Sequence, residues 1–165
     1  MGYTTTFTGS FKFNKKLDED THIFLTKLAN TRRMKRKFPK NEYGVEGEFF
    51  VDGSGFMGQD NDNSVVDHNR PPSTQPSLWL QWVPNDKGTR LMWDGVEKFY
   101  EYIPWLQYLI DKILKPRGYS LSGRVLWKGE NSSDKGTIQI VDNIIYAKEG
   151  HHKDIAPNSI KYFKE

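Results

Sequence analysis

The sequence predicts an α+β domain in which two helices pack on a mainly antiparallel sheet. Three observations carry that prediction. Segments with an apolar residue at every second position occur near both ends of the chain, at Tyr3 to Phe13 and at Tyr119 to Trp127. Two other stretches, beginning at Leu17 and at Val96, carry apolar residues at helical spacing. The resulting order is strand, helix, strands, helix, strands. Such an order builds a layer of helices on a sheet, with a ferredoxin-like arrangement as one candidate.

Taken in order, Tyr3, Thr5, Phe7, Gly9, Phe11 and Phe13 fall on one side of the first segment, and Thr, Ser and Lys on the other. A period of two marks a half-buried strand. LDEDTHIFLTKLAN then offers acids followed by Ile23, Phe24, Leu25 and Leu28. Acids in a first turn complement the helix dipole, so a helix is expected here, running on into the basic RRMKRK. YGVEGEFFVDG, after Pro39, reads as a short strand punctuated by Gly.

The 26 residues from Asp52 to Ser77 look like neither helix nor strand. Loops longer than about 12–15 residues are uncommon in compact domains and are usually functional or disordered. Beyond this loop, SLWLQWVPNDKGTRLMWDG reads as a hairpin that turns at PNDKG, with Leu78, Leu80 and Trp82 on one face.

VEKFYEYIPWLQYLIDKILKP is the strongest helical pattern, with a stripe through Phe99, Tyr102, Ile103, Leu106, Leu109, Ile110 and Ile113. Asp94 and Glu97 resemble a capping box at its start. Pro104 conflicts with an unbroken helix and predicts a kink or a restart there. Pro116 and Gly118 end it. YSLSGRVLWKGE alternates cleanly, and GTIQIVDNIIYAKE adds a hairpin turning at Asp142-Asn143. The reading is therefore one domain over 1–150, with the long loop 52–77, and a weakly patterned tail, 151–165.

Composition narrows the function classes. Hydrophobic residues make up only 36% of the chain, but aromatics reach 14%, enough large rings to build a core. The net charge of +3 does not by itself imply nucleic acid. Its distribution is uneven: residues 31–40 hold six positive charges and no negative one, while Asp52 to Asp67 hold four Asp and no positive charge. The absence of cysteine removes disulfides, thiolate metal sites and a cysteine nucleophile. The start lacks the pattern of a signal peptide, and no apolar run reaches membrane-spanning length. A soluble intracellular protein is the expectation.

Three groups of residues are candidate sites. In the long loop, Asp60, Asp62 and Ser64 alternate as calcium ligands often do. An EF-hand would need Gly and Glu where this chain has Val65 and Pro71, so no metal site is assigned. Phe56, Met57, Val65 and Val66 suggest instead a loop partly packed on the domain and offering Gln59, Asp60, Asp62, Asn69 and Arg70 to a partner. A solvated loop rich in Asx turns is the plainer reading.

The second group is Trp79, Gln81, Trp82 and Trp93, with Tyr100 and Trp105 on the expected helix. In a strand Trp79 and Trp82 face opposite ways, so at most one joins the core and the other could form a stacking platform. Cross-strand packing against Trp93 is the structural alternative. The third is the basic run Arg32, Arg33, Lys35, Arg36 and Lys37 within 32–40, which could track phosphates or simply end a helix.

Catalytic signatures are missing: there is no Gly-rich phosphate loop, HExxH or nucleophile elbow. His22, His68, His151 and His152 are scattered, and capping accounts for two of the acids Asp94, Glu97 and Glu101. No catalytic residue, cofactor or metal is therefore assigned.

The MGY-T start, YGVEGEFFVDG, NRPPSTQPSLWLQW, WDGVEKFYEYIPWLQYLI and GYSLSGRVLWKGE, taken as a set, resemble a group of small uncharacterised proteins of phages and bacterial genomes. The resemblance covers most of residues 1–147 and implies a setting, the cytoplasm of a bacterial host, without a mechanism. The expectation is a non-enzymatic accessory protein that binds and inhibits a host or defence protein, as anti-CRISPR proteins do. Two alternatives stand beside it. One is a pocket sequestering a nucleotide or other small anion, with Trp79 or Trp82 stacking and Arg70, Arg90 or the basic run meeting phosphate. The other is nucleic-acid binding through 32–40.

Overall fold

The alternation of Thr5, Phe7, Phe11 and Phe13 with exposed neighbours produces strand β1 (Thr5–Phe13), whose apolar side is buried. In the computed structural model, which describes residues 2–30, 35–36, 65–67, 69–71 and 75–153, it is followed by helix α1 (Glu19–Ala29). A small ladder of β2 (Lys35–Arg36) and β3 (Val65–Asp67) comes next, then the hairpin β4 (Trp82–Pro84) and β5 (Arg90–Trp93). Helix α2 (Tyr102–Leu109) runs into a π-helical turn, Ile110–Leu114. Strands β6 (Leu121–Gly129), β7 (Lys135–Val141) and β8 (Ile144–Glu149) complete the described chain.

The main sheet has six strands in the order β4-β5-β1-β6-β7-β8, every neighbouring pair antiparallel. Two helices on an antiparallel sheet make this an α+β fold. Apart from the β2-β3 ladder, the chain runs β-α-β-β-α-β through β6 and then adds β7 and β8. One face of the sheet, carrying Phe7, Phe11, Phe13, Val125 and Ile138, shares a single buried cluster with Leu25 and Leu28 of α1 and Trp105, Leu106 and Leu109 of α2. Close approach matters where strands cross this layer. Gly9 has φ 107°, and a Cβ there would come within 2.7 Å of the Arg124 carbonyl oxygen. At Gly136 a Cβ would overlap the Trp127 ring, so the indole occupies the space that the missing side chain leaves.

Local signals explain the ends of the elements. Asp18 caps α1, its carboxylate accepting from the Thr21 N–H at 2.7 Å and from the Tyr119 hydroxyl at 2.7 Å. The β7-β8 turn places Asp142 and Asn143 at φ 47° and 70°, the left-handed pair that a two-residue hairpin requires. Asn143 also accepts from the Leu121 N–H at 2.7 Å and donates to the Tyr119 carbonyl at 3.2 Å, so the turn is fastened to the start of β6.

Three expectations are corrected. Helix α1 stops at Ala29 instead of continuing through the basic segment: Asn30 closes it, its N–H donating back to the Thr26 and Lys27 carbonyls, and Lys35–Arg36 pair as strand with β3. The long loop is not free of regular structure, because Val65–Asp67 is that partner strand. The second helix begins at Tyr102 and not at Val96. This start puts Pro104 in the first turn, where its missing N–H is one of the donors a helix leaves unpaired anyway. The Asp94–Glu97 capping box therefore does not form. Asp94 instead accepts from the Val96 N–H at 2.9 Å, two residues on. The expected strand at 43–53 and the tail from 154 lie outside the described residues. Among those described, no helix is long and apolar enough to cross a membrane.

Candidate functional site

The end of the long loop is held on α2 by polar contacts. The buried Gln75 amide donates to the Tyr108 hydroxyl at 3.0 Å, and the Trp105 indole N–H donates to Ser77 Oγ at 2.7 Å. The same Ser77 hydroxyl lies 3.3 Å from the Trp79 carbonyl and 3.4 Å from that of Tyr100. Residues 76–81 are thereby laid beside the segment 94–100. An open cleft of about 850 Å³ is lined by both segments and also by Ala29, Asn30, Asn69 and Pro71.

The two walls are built differently. The first is mainly apolar, with Pro76, Leu78 and Trp79, and includes the buried Gln81. Gln81 is buried, its carbonyl accepting from the Asp94 N–H at 3.0 Å and its amide oxygen lying 3.4 Å from the Trp93 indole nitrogen. The second wall is an irregular strip that takes left-handed backbone at Gly95 and Lys98, with φ 84° and 65°, and again at Glu101 just beyond it, with φ 58°. Lys98 and Glu101 carry side chains there, a conformation costing on the order of 1–3 kcal/mol each that persists only where surroundings enforce it. The enforcement is visible. Phe99 is driven into the core against Phe7 and Trp82, and the Trp93 indole donates to the Val96 carbonyl at 3.1 Å.

Electrostatically the described lining contains Asp94, Glu97 and Lys98, with the Lys98 ammonium 3.8 Å from the Glu97 carboxylate. Partial desolvation pushes the Asp94 carboxyl above the usual range although the residue as a whole stays exposed, and the Val96 N–H opposes this in part. Among the described residues, no group of three or more His, Asp or Glu side chains is placed to hold a metal ion.

Of the expected site residues, this cleft gathers Asn69, Trp79 and Gln81. Trp82 belongs elsewhere. It is only 1% exposed, meets Phe7, Phe11 and Phe99 edge-on, and donates its indole N–H to the Tyr102 carbonyl at 2.8 Å. It cannot be a stacking platform, since no partner reaches it. Trp93 stands opposite Trp82 in the hairpin register, and both rings pack on Phe7. The structural alternative, cross-strand aromatic packing, is thus what the hairpin contains. Trp105 is fully buried, whereas Tyr100 precedes the helix and stays 47% exposed at the cleft rim.

Of the cations offered for phosphate, the described Arg70 and Arg90 do not line the cleft. Arg70 lies 3.6 Å from Asp67, and Arg90 donates to Ser10 Oγ at 3.2 Å from its position opposite Lys12. Phe56, Met57, Gln59, Asp60, Asp62, Arg32, Arg33 and Lys37 lie outside the described residues, and Lys35 and Arg36 are described only as strand β2. The sequence reading missed the strip 94–100 as a wall, because its apolar spacing imitates a helix. The clue was Gly95 with Pro104, a pair that suits a helix starting late. No family model, curated protein or solved structure matches the chain.

Proposed function

We propose that the chain is a non-enzymatic accessory protein that binds and inhibits a bacterial host or defence protein, with this cleft and the adjoining long loop as its contact surface. The observation that carries the reading is the convergence of Asn69, Trp79 and Gln81 on one cleft whose rim holds the exposed side chains Val96 and Tyr100. Trp and Tyr are enriched where proteins meet, because each presents a large apolar body and a polar tip. The enforced left-handed backbone of Lys98, which lines the cleft, adds weight, since such conformations concentrate at binding sites. The phage setting implied by the sequence resemblance agrees with this reading.

The test is retrieval of partners from a bacterial lysate by the tagged protein and its variants. Trp79→Ala and Tyr100→Ala are expected to lose the retrieved protein, while Thr8→Ala on the opposite face of the sheet keeps it. Equal retrieval by all three variants refutes the cleft as the contact.

A second reading, the sequestering pocket, draws on the volume, which falls within the range of about 300–1,000 Å³ common for small-molecule sites. An anionic ligand finds little among the described residues to meet it, as the two acids there face a single lysine already close to Glu97. Tryptophan fluorescence titrated with nucleotides decides it: a saturable change lost in Trp79→Ala supports the pocket, and a flat response removes it.

A further inference from the structure

The helices cover one face of the six-stranded sheet, and the register defines the opposite face residue by residue. Across β1, β6, β7 and β8 one row reads Ser10, Arg124, Gln139 and Tyr146. The next rows place Lys148 beside Thr137, and Lys128 beside Lys135 and Thr6. At the other end Lys12 stands opposite Arg90. The charged strand residues described on this face are thus six cations, Lys12, Arg90, Arg124, Lys128, Lys135 and Lys148, every one exposed and none accompanied by an acid from the same rows.

Twice the cations are direct cross-strand partners, Lys12 with Arg90 and Lys128 with Lys135. Like charges in that position destabilise a sheet. Nothing in the packing of the fold needs them, because the core lies on the other side. A chain whose net charge is only +3 has concentrated six positive charges on one surface.

We propose that this sheet face binds single-stranded nucleic acid, independently of the cleft. A polyanion is the chemistry that turns paired cations from a cost into a gain. Arg124 and Lys128, four residues apart on β6, stand about 13 Å from each other along the strand, so the cations form a track instead of a single point site. Between the charged ends lie the groups that meet sugars and bases: the Ser10 hydroxyl, the Gln139 amide and the half-buried Tyr146 ring. A cationic track with an interleaved ring is how single strands are held without sequence preference. A broad sheet face does not fit a duplex groove, which admits a helix or a two-stranded ribbon. Residues Gly150 to His152 turn back over Thr137 and border the track without covering the six cations.

The experiment is fluorescence anisotropy of a labelled oligothymidylate of about 16 nucleotides, titrated with the full chain at several salt concentrations. Binding in the range of about 1–100 μM is expected, weakening steadily with salt. In the double variant Arg124→Gln, Lys128→Gln the affinity should fall about 25-fold at 0.1 M salt, because each lost contact removes about 0.7 from the slope of log K against log salt. The pair Lys12→Gln, Arg90→Gln should act similarly. Lys112→Gln, Lys115→Gln, which removes the same charge from the helical layer, should leave binding unchanged. Three results would overturn the proposal: no anisotropy change up to about 100 μM protein, an equal loss in the helical-layer control, or binding to phosphatidylserine vesicles with none to the oligonucleotide.

Discussion

Replacing Trp82 with Ala tests the central structural assignment, because the two Trp residues three positions apart have been given opposite roles. Trp82 is 1% exposed and wedged among Phe7, Phe11 and Phe99, with ring centroids 5.2, 5.6 and 5.4 Å away. An aromatic side chain of this kind buries about 150–250 Å². At about 25 cal/mol per Å² that is roughly 4–6 kcal/mol. The unfolded chain already hides part of that area and the neighbours relax into the gap, so the expected loss is about 3–5 kcal/mol. In urea, with a slope of about 2 kcal/mol per molar, the midpoint should drop by roughly 1.5–2.5 M. Trp82→Phe keeps most of the edge contacts but leaves the Tyr102 carbonyl without its 2.8 Å donor. It should cost about 1–3 kcal/mol. A Trp82→Ala protein within about 1 kcal/mol of the parent would refute the packed-core placement and return Trp82 to the candidates for a surface platform.

Two further outcomes follow from polar contacts. Asn143→Gly keeps the left-handed backbone and the backbone bond to Leu121 yet loses the two side-chain hydrogen bonds to Leu121 and Tyr119, at a cost of about 1–2 kcal/mol. Asn143→Ala adds strain at φ 70° and should unfold at lower urea than the Gly variant; the reverse order would mean that the turn is not strained. Acid titration separates Asp18 from Asp94. The Thr21 N–H and the Tyr119 hydroxyl hold Asp18 below its ordinary value of 3.8, so its contribution is present above that pH and is lost as pH falls through the lowered pKa. Desolvation raises Asp94, so its contribution is present below 3.8 and disappears as pH rises through the raised pKa. Asp18→Asn should therefore flatten the acid limb of stability measured by chemical denaturation. Asp94→Asn should be neutral or stabilising at pH 7, and destabilisation there would contradict the raised pKa.

The strands were legible in the sequence wherever one face alone is buried. In β1 and β6 the alternation of Phe7, Phe11 and Phe13, and of Leu121, Val125 and Trp127, records the pleat directly, and Asp142-Asn143 announces its turn. These are local properties: strand geometry and left-handed backbone depend on a few adjacent residues. The start of α2 was not legible. Phe99, Tyr102, Ile103 and Leu106 satisfy helical spacing whether the helix begins at 96 or at 102, and the choice rests on Phe99 filling the space beside Phe7 and Trp82. Likewise the spacing of Trp79 and Trp82 says that they diverge but not which one is buried.

The cleft and the cationic face depend most on tertiary structure. Asn69, Trp79, Gln81 and Tyr100 meet because Ser77 ties the loop end to α2, a contact spanning 28 residues to Trp105. Lys12 and Arg90 face one another across β1 and β5, and Lys128 and Lys135 across β6 and β7. Periodicity assigns each residue to a side of its own strand. Which residues become neighbours across strands is decided by register, and register is set by the packing of distant segments on one core.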